Sequence, residues 1–159
     1  MKVLYLGCFC ESTISTKGVI TVSATTFQKA LLAGCNECGI RPDYIVNVPD
    51  IGSFPFRCNN LFFSKSKFEY ASIKGVNASF FNVTYLKKCS IYHTIMREAK
   101  LWLNKNREEK VTILVYSLIY PYLKAAIDLK KCTQMFKFVV SYWICLNILE
   151  IALLYCTVF

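Results

Sequence analysis

The stretch VTILVYSLIYPYLKAAIDLKK, residues 111–131, decides the fold. Residues 111–116 form an almost unbroken apolar run rich in β-branched and aromatic side chains, which reads as a strand buried on both faces. From Leu118 the period changes. Apolar residues recur at Leu118, Tyr122, Leu123, Ala126 and Leu129, while Lys124, Asp128 and Lys130 take the other side, the pattern of a helix. Pro121 falls in the first turn, where a missing N–H is harmless. Strand, tight Tyr116-Ser117 junction and helix make half of a βαβ unit.

Working outward, the other segments repeat that theme. Residues 2–7 form an apolar strand that opens the chain, and residues 8–18 form a loop of Ser, Thr, Lys and Gly. A helix is predicted over about 22–38, with Phe27, Ala30, Leu31 and Gly34 or Cys35 as its apolar stripe and Gly39 as its stop. Residues 44–48 are a second strand, followed by the turn-rich loop PDIGSFP at 49–55. Short extended pieces are expected at 61–63, 68–71 and 78–83, with Phe54, Phe56, Phe62, Phe63, Phe80 and Phe81 assigned to the core. Residues 85–106 are the clearest helix. Leu86, Ile91, Ile95, Ala99, Trp102 and Leu103 form its stripe, Lys87, Lys88, Arg97, Lys100 and Lys105 face outward, and His93 is an exposed position. The order β-α-β-(short strands)-α-β-α implies an α/β fold, a Rossmann-like, mainly parallel sheet with helices on both faces. In such sheets ligands bind beyond the C-terminal ends of the strands.

The 159 residues are 55% apolar and carry a formal charge of +9. Residues 1–131 hold 18 Lys and Arg against 9 Asp and Glu, which is the whole excess, because Lys137 and Glu150 cancel in the remainder. The basic part attracts anions: phosphate-bearing ligands or an anionic membrane face. Its cations are scattered and no RNA- or DNA-binding signature accompanies them, so nucleic acid is not expected. The nine cysteines form no regular framework. Cys35-Asn-Glu-Cys38 has CxxC spacing but follows a helical pattern, and His93 is the only histidine, so neither a zinc site nor a redox motif is expected. Reduced thiols and a cytoplasmic setting are. The opening MKVLYLGCF lacks the apolar core and cleavage site of a signal peptide.

KVLYLGCF, the helix around Thr26-Phe27-Gln28-Lys29-Ala30-Leu31, the loop VPDIGSFP at 48–55 and, most closely, residues 113–131 resemble the N-terminal half of bacterial family 4 glycosyltransferases. The loop is similar to the family's "APPIGSYP", and 113–131 to its "ILVYSLHSPFLKAALKLKKKYPN". The resemblance implies the N-terminal lobe of a GT-B enzyme. Such an enzyme moves a sugar, as hexosyltransferases do, from a nucleotide-sugar donor to a glycan or lipid-linked acceptor, and needs no metal or other cofactor. In that architecture this lobe mainly binds acceptor, and the C-terminal lobe carries an acidic pair that contacts the donor. The family has a histidine after Tyr-Ser-Leu where this chain has Ile119, so the 116–121 turn lacks that imidazole.

From Cys132 the resemblance stops and a hydrophobic tail begins. Residues 138–159 are 22 residues long with one charge, long enough to cross a bilayer. Their twelve Leu, Ile, Val and Phe contribute roughly −5 kcal/mol toward insertion, against about +3 for Glu150 at mid-span, with Asn147 eroding more. Lys130, Lys131 and Lys137 would then hold the folded part on the cytoplasmic side. The genetic code offers the other reading. Back-translated from Cys132 and read two bases out of frame, the codons permit YPNVQICRIVLDLPEY, which resumes the family pattern where it breaks. A frameshift near codon 132 would make the tail a read-through product and leave the sheet and the donor lobe unfinished. The tail would cover the edge of the 111–115 strand as a helix, favoured over 147–155, or add a strand to it.

Three functions follow: a truncated glycosyltransferase lobe, inactive alone; a small tail-anchored membrane protein with a basic cytoplasmic α/β part; and an acceptor-binding module working with a separately encoded partner lobe. No pair of residues stands out as acid and base, so the catalytic residues stay unassigned. Position alone selects the candidates for ligand contact: Lys17 and Gly18 after the first strand, Asp50 and Ser53 after the second, and Tyr116 and Ser117 after the last.

Overall fold

Two apolar cores separated by one sheet organise the chain. The computed structural model describes residues 1–10, 22–116, 119–132 and 136–140. The elements run β1 (Lys2–Gly7), α1 (Val22–Glu37), β2 (Tyr44–Asn47), β3 (Phe62–Phe63), β4 (Ser66–Tyr70), β5 (Ile73–Asn77), β6 (Phe80–Phe81), α2 (Lys87–Lys105), β7 (Val111–Val115), α3 (Tyr120–Cys132) and β8 (Phe136–Val140). The main sheet has the order β4-β5-β2-β1-β7-β8. All neighbours pair in parallel except β4, which runs antiparallel to β5 at the edge. The fold is therefore α/β with a mostly parallel sheet, as the element order implied.

Strand alternation distributes the core. Leu4 and Leu6 of β1, Val46 of β2 and Ile113 and Val115 of β7 pack against Ile91, Ile95 and Ala99 of α2 and Ala125, Ala126 and Leu129 of α3. On the other face Val3, Tyr5, Ile45 and Leu114 meet Leu32 of α1. Helices thus cover both faces, which is why β1 and β7 read as unbroken apolar runs. Gly39, at φ +74°, ends α1: the Ile40 N–H donates to Cys35 O at 2.8 Å and the Gly39 N–H to Asn36 O at 3.0 Å, a Schellman cap.

Several expectations need correction. In α1 the buried residues are Thr25, Gln28 and Leu32, and Ala30 is exposed. The helix is rotated because two polar side chains face the sheet. Leu86 precedes α2 and is exposed, and Lys87 is half-buried rather than facing outward. Glu98 is buried among the apolar stripe, held by Lys65 at 2.6 Å and Arg97 at 3.0 Å. Strand β5 lies between two of the expected pieces, where none was assigned, and the piece expected at 78–83 shrinks to β6. Of the phenylalanines assigned to the core, Phe63 and Phe80 are buried, but Phe56, Phe62 and Phe81 are exposed. Residues 138–140 of the tail lie in β8, which pairs with β7 and so adds a strand to that edge, the second of the two alternatives, where a spanning helix would have begun. The rest of the expected tail helix lies outside the described residues. Among the described residues no helix is long and apolar enough to cross a membrane.

Gly75 sits where β5 crosses β2, and a Cβ there would lie 2.5 Å from Ile45 O. Gly34, inside α1, has nothing within 4 Å of that position. The two sites carry opposite expectations. Gly75→Ala should lower stability by about 1–3 kcal/mol through forced displacement of the β2–β5 ladder. Gly34→Ala should raise it by roughly 0.5–1 kcal/mol through helix propensity. Urea unfolding midpoints of the two variants check both signs.

Candidate functional site

The chain leaves the sheet after Gly7, and the next three backbone N–H groups lose their strand partners. Each is taken by a buried side chain. Cys8 N–H donates to Gln28 Oε1 at 2.8 Å, Phe9 N–H to Asn47 Oδ1 at 2.6 Å, and Cys10 N–H to Thr25 Oγ1 at 3.0 Å. Asn47 Nδ2 donates back to Phe9 O at 3.0 Å and onward to Asn77 Oδ1 at 2.7 Å, and Asn77 Nδ2 donates to Ser66 Oγ at 3.1 Å. Gln28 Nε2 donates to Ala24 O and Cys8 Sγ. This polar bracket ties the ends of β1, β2 and β5 to the first two turns of α1.

Around the bracket lies the C-terminal edge of the sheet. Strand order places successive connections on opposite sides of β1, so the crevice expected for a ligand opens between the ends of β1 and β7. Cys8–Cys10 form one bank of it. Tyr116 forms the other, with its N–H donating to Leu6 O at 3.3 Å and its ring tilted against Phe27 of α1, centroids 5.7 Å apart. Asp50 closes the β2 side, its carbonyl accepting from Cys10 Sγ at 3.0 Å. From α3, the fully buried Tyr122 hydroxyl donates to Val48 O at 2.8 Å. From the start of α2, Lys87 Nζ donates to Ile51 O.

The electrostatics follow from that crowding. Burial raises the Tyr116 phenol above its usual range, and the charges at Cys8 and Asp50 push it further. Burial does the same to Tyr122, again with Cys8 and Asp50 adding. The Lys87 ammonium is lowered by burial, opposed by the nearby Asp50 carboxylate. The Cys8 thiol is pushed up to about 12, first by burial and then by Asp50 and Cys10. A carboxylate, a phenol and an ammonium therefore converge on one mouth. Such a set can bind hydroxyls and orient an anionic group. Among the described residues no group of His, Cys, Asp and Glu is arranged to hold a metal ion.

Of the residues selected by position, Asp50 and Tyr116 reach this mouth. Ser53 belongs to the adjoining turn, where its carbonyl accepts the Arg57 N–H at 3.0 Å, next to Gly52, whose carbonyl accepts from Asn82 Nδ2 at 2.9 Å. Lys17, Gly18 and Ser117 lie outside the described residues. Thr25, Gln28, Asn47, Lys87 and Tyr122 were not singled out as site residues. A readable signal existed for Asn47, a polar residue ending an otherwise apolar strand. No known family model matches the chain, and neither does any curated protein or solved structure.

Two outcomes follow from this geometry. Asn47→Ala strips partners from the Phe9 N–H and carbonyl and from Asn77, and should destabilise the chain by about 3 kcal/mol, read from urea unfolding. With a thiol near 12, about one Cys8 in ten thousand is ionised at pH 8. Disulfide-exchange reagents at that pH should therefore label the exposed Cys38 and Cys89 in the native chain and spare Cys8 until it unfolds, which peptide mass spectrometry resolves.

Proposed function

We propose that residues 1–131 are a Rossmann-like, acceptor-side lobe of a GT-B glycosyltransferase, similar to the N-terminal half of bacterial family 4 enzymes. One observation carries this reading. The two stretches with the strongest resemblance, 48–55 and 113–131, meet at the C-terminal edge of the sheet, joined by the Tyr122 hydroxyl on Val48 O at 2.8 Å. A ligand-binding family needs its loops there, after parallel strands. In this reading Asp50 and Tyr116 line the acceptor side, Asp50 accepting from an acceptor hydroxyl. Lys87 and the N-terminal end of α1 favour negative charge nearby. The donor nucleotide belongs to a second lobe, encoded in the frame displaced at codon 132.

Reconstitution tests it. The chain alone should neither transfer nor hydrolyse radiolabelled UDP-glucose, UDP-N-acetylglucosamine or GDP-mannose. Co-expressed with the lobe translated from the downstream frame, it should transfer label to a glycan or lipid fraction, and Asp50→Asn should lower that rate at least about tenfold. Absence of a glycosyltransferase-like downstream frame, or no transfer after co-expression, overturns the reading, as does turnover by the chain alone.

A further inference from the structure

Four of the aromatic residues that the fold leaves exposed, Phe56, Phe62, Phe81 and Tyr85, belong to one substructure, whereas Tyr120 stands apart on α3. β3 and β6 form a two-stranded antiparallel ladder in which Phe62 opposes Phe81 and Phe63 opposes Phe80. The inner pair, Phe63 and Phe80, is buried and stacked, with centroids 5.0 Å apart. The outer pair, Phe62 and Phe81, is exposed, also with centroids 5.0 Å apart. The neighbouring turns are stitched to this ladder. Asn82 N–H donates to Leu61 O at 2.8 Å, Phe54 N–H to Asn82 O at 2.9 Å, and Thr84 Oγ1 to Phe54 O at 3.1 Å. Those turns carry Phe56, 90% exposed, and Tyr85, 91% exposed, followed by Leu86 at 60%. Leaving so much ring surface in water is unfavourable unless something covers it.

Charge identifies the cover. Between residues 54 and 88 stand Arg57, Lys65, Lys67, Lys74, Lys87 and Lys88 against Glu69 alone. Lys65, itself exposed, pairs with Glu98, and Lys87 donates to Ile51 O. Arg57, Lys67, Lys74 and Lys88 are exposed, Arg57 next to Phe56 in the chain and Lys88 three residues after Tyr85. Exposed aromatic rings with exposed cations close by in the chain, and almost no acid, match the headgroup layer of an anionic bilayer, where rings settle at the interface and cations meet lipid phosphates.

We propose that the β3–β6 ladder and its flanking turns form a docking surface for anionic phospholipid membranes. The proposal stands on exposure and charge, and does not require the sugar-transfer reading. The ladder follows the C-terminal ends of β2 and β5, the same edge of the sheet as the mouth at Asp50 and Tyr116. Docking would therefore bring that mouth to the headgroups, within reach of a ligand carried on a lipid.

Vesicle sedimentation of the full chain tests this, with phosphatidylcholine vesicles compared to ones containing one-third phosphatidylglycerol. The expected result is binding to the anionic vesicles only, lost in about 0.5 M NaCl, where the Debye length falls to roughly 4 Å. The double variant Arg57→Gln/Lys88→Gln should partition about thirtyfold less, since each cation near an anionic surface contributes roughly fivefold. Phe56→Ser/Tyr85→Ser should partition at least about tenfold less. All four side chains are exposed, so unchanged urea unfolding separates docking from folding. Salt-resistant binding to both vesicle types would assign the association to residues 138–159 and overturn the proposal. So would no binding at all, or binding unmoved by the variants. A dimer that the aromatic variants dissociate, without vesicle binding, would give the surface to a second copy of this chain instead.

Discussion

The whole C-terminal edge of the sheet depends on how β1 ends. A parallel strand that stops inside a sheet exposes backbone donors in a place water does not reach, and each unmet donor costs about 1–3 kcal/mol. Here three consecutive donors, at Cys8, Phe9 and Cys10, are met by Gln28, Asn47 and Thr25, all buried. The solution constrains everything near it. α1 must present polar residues to the sheet, and β2 must end on an asparagine rather than on another apolar residue. Gly7 must lack a side chain, since a Cβ would lie 3.0 Å from Gln28 Oε1 and 2.7 Å from a Tyr5 ring carbon.

The same bracket explains why polar groups, rather than more core, gather above it. With the backbone satisfied from below, the side chains above it are released from structural duty toward β1. Asp50, Lys87, Tyr116 and Tyr122 arrive there from four different elements, so their proximity is a property of topology and not of local sequence. Burial weakens the Lys87 charge while the Asp50 carboxylate restores part of it. Lys87, Tyr116 and Tyr122 are therefore tuned by neighbours that lie far away along the chain.

That distinction sets what could be read from the residues in advance. β1 and β7 were legible because strands buried on both faces leave continuous apolar runs. α1 was legible as a helix, but its orientation was not, since a rule that turns apolar residues inward cannot see that Thr25 and Gln28 have backbone donors to serve. The adjacent pairs Phe62-Phe63 and Phe80-Phe81 looked like core by composition. The pleat of a two-residue ladder allows only one of each pair inward, and the other must face out. β5 was hidden because Lys74 and Gly75 interrupt its apolar residues, whereas Gly75 is needed there by the close approach of Ile45 O. Lys87 looked solvated like its neighbour Lys88, and only the long-range return of the 49–55 loop gives it a carbonyl to meet. Asp50 and Tyr116 could be placed at strand ends from the sequence because strand ends are predictable even where their partners are not.

The two ends of the sheet show the same logic in contrast. At the N-terminal end, Asp43 accepts from Val3 N–H at 2.7 Å and pairs with Lys2 at 3.2 Å, while Glu109 reaches Lys2 at 4.0 Å. These are exposed or half-exposed ion pairs that close the end of the strands and are screened by water, each worth less than about 1 kcal/mol. At the C-terminal end the polar groups are buried, hydrogen-bonded in a chain from Ser66 through Asn77 and Asn47 to Phe9, and overlaid by titratable groups. Polar atoms placed in an apolar sheet at such expense of desolvation are retained only where they hold a shape that apolar packing cannot hold. Here they hold the C-terminal ends of β1, β2 and β5 and the start of α1 in one arrangement. The exposed rings and cations of the β3–β6 ladder lie along that same edge. The edge with a polar floor and converging titratable groups is the one at which we propose that the chain meets a ligand, whereas the opposite edge is closed by exposed ion pairs.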